Sequence, residues 1–185
     1  PAKPLGAYGD GGAVFTDDDR IAEIVRSCRT HGMGQNKYEN VRIGMTGRLD
    51  SIQAVVLDAK LDIFAEELAL LQQVADRYQD RIGNSVETPR LAGGASSSWA
   101  QYTIKLPAGV DRNTVCNKMQ AGGVPTAIYY PVPMHRQPPY RHYPVACGTL
   151  KTTEMLCDCV MSLPMHPYLD AETQDVVVDE LRNAL

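Results

Sequence analysis

Residues 49–82 carry an apolar pattern that only a helix can use. Ile52, Val56, Ala59 and Ile63 recur at steps of four, three and four. Leu61, Phe64, Leu68, Leu71, Ala75, Tyr78 and Ile82 alternate steps of three and four without a break. Gly83 and Asn84 end the run. At a rise of 1.5 Å per residue, about 33 residues span roughly 50 Å, longer than an ordinary domain helix. A coiled coil is one use for such an element, but its seam would be only about three heptads long. Flanks of globular character fit a helix that joins two domains.

On the N-terminal side, glycines run into Ala13-Val14-Phe15-Thr16, a predicted short strand. The acidic stretch Asp17-Asp18-Asp19 then starts a helix through Ile21, Ile24 and Val25, with a basic end at Arg26 and Arg29. Residues 31–47 contain recurrent glycine and no periodicity, which predicts a long loop, functional or disordered. Beyond the long helix, residues 92–98 predict a flexible turn. There follow a strand over residues 99–106, a helix over 112–121 and a strand over 126–130. The proline-rich residues 131–144 predict irregular chain, and helices are expected near 150–160 and over 171–184. The whole reads as α/β.

Composition narrows the function. Of 185 residues, 44% are hydrophobic and 22% charged, as in globular proteins, and the formal net charge of −4 supplies no basic field for nucleic acid or an anionic membrane. No apolar run approaches the ~20 residues of a membrane helix, and a cytoplasmic location is expected. The five cysteines are odd in number and fit no secreted framework. Cys157 and Cys159 lack the second pair or histidine cluster that would complete a metal site, so no metal is expected. The chain begins at Pro1 without an initiator methionine, as a piece of a longer protein would.

Three places carry chemistry. Lys3 lies between Pro4 and the glycine-rich Gly6-Ala7-Tyr8-Gly9-Asp10-Gly11-Gly12, where backbone can approach a ligand closely. Desolvated, its amine becomes a nucleophile, while a solvated surface lysine has the same sequence. Arg48 stands where the loop Gly44-Met45-Thr46-Gly47 enters the long helix, placed to clamp a carboxylate or phosphate or merely to pair with Asp50. Tyr129-Tyr130-Pro131-Val132-Pro133-Met134-His135 makes a stiff aromatic wall with polar tips, suited to a sugar or nucleotide; core tyrosines look similar.

These places recur together, in this order, in one family. Pro1-Ala2-Lys3-Pro4-Leu5-Gly6 with Tyr8-Gly9-Asp10-Gly11-Gly12 resembles the lysine segment of the DegT/DnrJ/StrS sugar aminotransferases. Thr30-His31-Gly32 and Arg48-Leu49-Asp50-Ser51-Ile52-Gln53-Ala54 are similar to its next two blocks. Gly123-Val124-Pro125-Thr126 leading to Tyr130-Pro131-Val132-Pro133 resembles the substrate-side strand, and Ser162-Leu163-Pro164-Met165 the closing block. The resemblance runs over nearly the whole chain.

That resemblance implies the C-terminal part of a fold-type I pyridoxal-phosphate transferase. Residues 1–48 would end the large cofactor domain, 49–83 form the connecting helix, and 84–185 form the small α/β domain. Lys3 would be the Schiff-base lysine, nucleophile and proton carrier. Arg48 would reach the site of the other subunit of an obligate homodimer, and Thr46 the cofactor phosphate there. Tyr129, Tyr130 and His135 would line the sugar pocket. Many relatives have histidine where Tyr129 stands and asparagine where Thr46 stands; Thr46 keeps a hydrogen-bond donor of shorter reach. Dehydratase relatives replace the lysine with histidine, and Lys3 argues against them.

The implied reaction moves an amino group from glutamate, leaving 2-oxoglutarate, to a nucleotide-linked keto sugar destined for surface polysaccharide or a glycoconjugate. The segments around Tyr129 and residues 162–168 are most similar to relatives acting at the 3-position of UDP-linked amino sugars. The family's phosphate cup, ring-stacking residue and pyridine-facing aspartate precede the lysine, so this chain alone is expected to be inactive. Two other readings remain: a non-catalytic domain that only dimerises or binds, and a helical scaffold built on the seam from Leu61 to Ile82.

Overall fold

A computed structural model describes residues 3–185. The Lys3 segment is therefore on view from the lysine onward, while Pro1 and Ala2 lie outside the described residues. The elements are α1 (Asp19–Cys28), α2 (Ser51–Ile82), β1 (Tyr102–Lys105), α3 (Arg112–Ala121), α4 (Lys151–Cys159), β2 (Val160–Leu163) and α5 (Ala171–Ala184). Contacts sort the chain into two compact units, Pro1–Ala65 and Glu66–Leu185. The division falls within α2.

Helix starts follow local chemistry. The Asp18 carboxylate accepts from the N–H groups of Arg20 and Ile21 and caps α1. Asp111 caps α3 through Thr114 N–H, and Asp170 caps α5 through Thr173 N–H. The long helix ends as its sequence predicts, at Gly83, whose φ of +60° suits a residue without Cβ.

The second unit is built on an antiparallel β1–β2 pair, in register from Tyr102 opposite Leu163 to Lys105 opposite Val160. A single bridge on each side, Glu87 with Lys105 and Ala127 with Ser162, extends the sheet without adding strands. Tyr102, Ile104, Met161 and Leu163 point into a core closed by Met119 of α3, by Val178 and Leu181 of α5, and by Tyr78 of α2. Two polar ties cross that core. Tyr78 donates its hydroxyl to the Pro164 carbonyl at 2.9 Å, and the buried Gln174 donates its amide to the Val74 carbonyl at 3.0 Å.

Burial of Leu71, Ala75, Tyr78 and Ile82 in this core means the C-terminal half of the apolar seam is spent within the chain, which removes it as the seam of a helical scaffold. Three strand expectations need correction. Residues 13–16 enter no strand or bridge among the described residues, and Val14 and Phe15 are exposed. Residues 126–130 supply one bridging residue, Ala127, after Pro125, which has no N–H to offer a ladder. The strand expected over 99–106 is confined to Tyr102–Lys105. Its partner β2 went unread, although the short apolar run Val160-Met161-Ser162-Leu163 before Pro164 is a strand signal.

Candidate active site

The expected site residues fall in both units, and each group has its own geometry. In the first unit, Lys3 lines a cavity of about 340 Å³ together with Gly9, Gly11, Gly12, Leu49 and Leu57, within the size range of small-molecule sites. Glycine is used there for space. A Cβ on Gly11 would come to 3.3 Å from Leu49 Cδ1, and one on Gly9 to 3.2 Å from Gln53 Nε2, while Gly12 faces open space. Lys3 is itself exposed, and a cavity bordered by a lysine, by glycine backbone that a flat ligand can approach, and by two leucines fits pyridoxal phosphate.

The loop over residues 30–47 is a fastened clip. Thr30 bridges Thr46, and N–H groups of Gly32, Met45 and Gly47 donate to the carbonyls of Ser27, Cys28 and Arg29 at 2.8 Å each. The clip closes tightly because Gly32, at φ +76°, lets the Arg42 carbonyl sit where a side chain would be. It holds Thr46 with its Oγ1 3.2 Å from His31 Nε2. Arg48 is exposed and makes no ion pair with Asp50 or any other residue among those described, so the pairing alternative is not what the structure adopts.

In the second unit, Tyr129 lines a cavity of about 220 Å³ with Gln101, Thr126, Ser162, Pro164 and Met165. The segment reaches it through the Ala127–Ser162 bridge, which carries both of its ladder hydrogen bonds. Tyr130 is exposed. His135 begins a separate arrangement: its Nε2 lies 2.8 Å from Glu154 Oε1, and its side chain is only 15% exposed. Arg136 donates Nε and Nη2 to the same oxygen at 3.0 and 2.8 Å. The bonds from His135 first, then Arg136, hold the Glu154 carboxyl below its usual range. An ionised carboxylate only accepts, so His135 donates through Nε2 and the carboxylate fixes the ring's orientation. Both side chains border a cavity of about 470 Å³ that also takes in Arg141 and Lys151.

Three side chains that contact these segments were not singled out from the sequence: Glu154, and Gln53 and Lys60 of α2, the last donating to the Gly6 carbonyl. Glu154 gave only a weak signal, an acid on a helix downstream of His135-Arg136. Among the described residues no group of three or more His, Cys, Asp or Glu side chains is arranged to hold a metal. No helix among them is long and apolar enough to cross a membrane.

A long α2, a small domain with an antiparallel pair, and a lysine in a glycine-lined cavity define part of a fold-type I transferase. The chain belongs to the DegT/DnrJ/EryC1/StrS aminotransferase family, whose profile matches residues 1–182. It is 40% identical over 99% of its length to the UDP-2-acetamido-2-deoxy-3-oxo-D-glucuronate aminotransferase of Pseudomonas aeruginosa, covering 49% of that protein. Its structure is similar to that of a DegT DnrJ EryC1 StrS aminotransferase from Brucella abortus, at 45% identity and a TM-score of 0.93, over 99% of this chain and 48% of the other. NtdA of Bacillus subtilis, solved with bound cofactor PMP, is 26% identical with a TM-score of 0.87, over 99% and 43%. The chain thus spans about half the length of the curated relatives it matches.

Proposed function

We propose that the chain supplies the lysine segment, connecting helix and small domain of a pyridoxal-phosphate-dependent aminotransferase. Its acceptor would be a nucleotide-linked keto sugar and its amino donor glutamate. The observation that carries this reading is Lys3 within the glycine-lined cavity. When bound, the cofactor supplies an electron sink for the carbon that gains or loses the amino group. Lys3 would hold the cofactor through its amine and would move a proton to and from the substrate carbon.

Thr46 would offer its hydroxyl to the cofactor phosphate of a neighbouring subunit and exposed Arg48 its guanidinium to the acidic part of the substrate, which makes the working unit a homodimer with shared sites. Tyr129 and Tyr130 would bound the sugar, and His135, oriented by Glu154, would present Nδ1 towards it. The relative from P. aeruginosa has a UDP-linked 3-oxo sugar acid in its name. A UDP-linked 3-keto amino sugar is accordingly the first acceptor to try, and a role in polysaccharide or glycoconjugate synthesis follows from such a product. The free thiols Cys28, Cys116, Cys157 and Cys159 agree with a cytoplasmic setting.

The test is chemical. The protein expressed from its intact gene is loaded with pyridoxal phosphate, reduced with borohydride and digested. The reading requires the reduced label on Lys3, its loss in Lys3→Ala, and glutamate-dependent amination of the keto sugar by the unmodified protein. Label on another lysine, or none, ends it.

A further inference from the structure

We infer that Lys60 and Gln53 of α2 are positioning residues that hold the glycine segment carrying Lys3; the inference rests on the function proposed for that lysine. Residues 3–12 enter no helix, strand or bridge and make no backbone–backbone hydrogen bond among the described residues. A segment of this kind, rich in glycine, would wander unless tied down. Among the described residues one hydrogen bond ties it: Lys60 Nζ donates to the Gly6 carbonyl. Gly6 and Ala7 are buried, so that carbonyl is largely withdrawn from water and depends on the lysine for its donor. The donor is charged, which makes the bond stronger than a neutral one, and Lys60 has no carboxylate partner among the described residues to compete for it.

Gln53 meets the same segment two turns earlier on the helix. Its carboxamide packs against Gly9 so closely that a Cβ there would lie 3.2 Å from Nε2 and 3.3 Å from Cδ. Its Oε1 is buried and has no donor among the described residues. A buried orphan acceptor costs stability, and an apolar side chain of similar shape would remove that cost. Gln53, Leu57 and Lys60 fall within one narrow arc of a 3.6-residue helix. That arc holds Gly9 and Gly6 and contributes Leu57 to the cavity wall. Fixing the carbonyl three residues from Lys3 limits the excursions of the amine. Misplacing a reacting group by about 1 Å costs roughly 100-fold in rate.

The test uses the protein from its intact gene and two readouts, chymotryptic cleavage after the exposed Tyr8 without cofactor and the visible band formed with pyridoxal phosphate. Cleavage of a folded chain follows the population of the opened segment. In Lys60→Met, cleavage after Tyr8 should quicken about tenfold or more, as for loss of a hydrogen bond to a charged group, with cleavage elsewhere unchanged. The pyridoxal phosphate concentration giving half the band should rise by a similar factor. Lys60→Arg, which keeps a charged donor, should restore most of both. Gln53→Leu should keep or raise the melting temperature while weakening the band. Unchanged cleavage in Lys60→Met, or an equal defect in Lys60→Arg, overturns the role of Lys60. An unaltered band in Gln53→Leu reduces Gln53 to packing and overturns its part. If the unmodified protein forms no band, the proposed function fails, and cleavage in Lys60→Met then decides whether the tie exists.

Discussion

The two halves of α2 carry the same kind of apolar sequence and meet opposite fates. From Leu71 to Ile82 the stripe is buried: Leu71, Val74, Ala75, Tyr78 and Ile82 all belong to the core of the second unit. In the first half Ile52 is 75% exposed and Val55 68%, while the polar Lys60 donates to the Gly6 carbonyl and Gln53 packs against Gly9. Periodicity states which side chains share a face of a helix. It does not state whether anything covers that face, because cover comes from residues distant in sequence.

The sharpest way to break this contrast is to truncate a side chain at the centre of the second core. Ile104 is fully buried between α2, α3 and α5. Ile104→Ala should cost about 2–5 kcal/mol in urea unfolding, from lost burial plus the cavity left behind. A cost below about 1 kcal/mol would show the core to be loosely packed. Next comes Gln174→Ala, which removes the buried amide bond from α5 to the Val74 carbonyl. The expected loss is about 1–3 kcal/mol, and it should add to that of Ile104→Ala only if the two sites relax independently.

A gentler probe is acid. Asp111 and Asp170 cap α3 and α5, and both carboxyls are held below their ordinary value, the first chiefly by the Thr114 side-chain hydrogen bond and the second chiefly by the Thr173 backbone hydrogen bond. A carboxyl with a depressed folded value stabilises the fold fully above its unfolded value, about pH 4 for aspartate, and loses that contribution as pH falls through the folded value. The melting temperature should therefore decline below about pH 4, and Asp170→Asn should flatten part of that decline while keeping the cap. An unaltered acid slope in Asp170→Asn and Asp111→Asn together would mean that other carboxylates carry the dependence.

How much of this was legible follows the same divide. The spans of α2, α3 and α5 were readable because each carries its own period, cap or stop signal within a few residues. Strands were not, since a ladder is made by a partner: residues 13–16 find none, and Ala127 alone pairs with Ser162. Lys3 became a candidate through its resemblance to the family, because a lysine beside glycines is equally a surface lysine until a cavity is seen around it. Gln53 and Lys60 stayed silent for a related reason. Polar residues on an amphipathic helix are expected to face water, and only the fold shows that these two face chain.

The smallest effect expected is at Ile52, and it tests the first half of α2 directly. In the 185-residue chain its side chain is three-quarters exposed, so Ile52→Ala removes little buried surface and gains a few tenths of a kcal/mol in helix propensity, leaving stability within about 0.5 kcal/mol of the parent. A loss as large as that of Ile104→Ala would mean that this face is covered in solution. Mass action then identifies the cover. A melting temperature that rises with protein concentration in the parent, and ceases to do so in Ile52→Asp, assigns it to a second copy of the chain. A loss independent of concentration assigns it to contacts within one molecule, and the contrast between the two halves of α2 would then be one of degree.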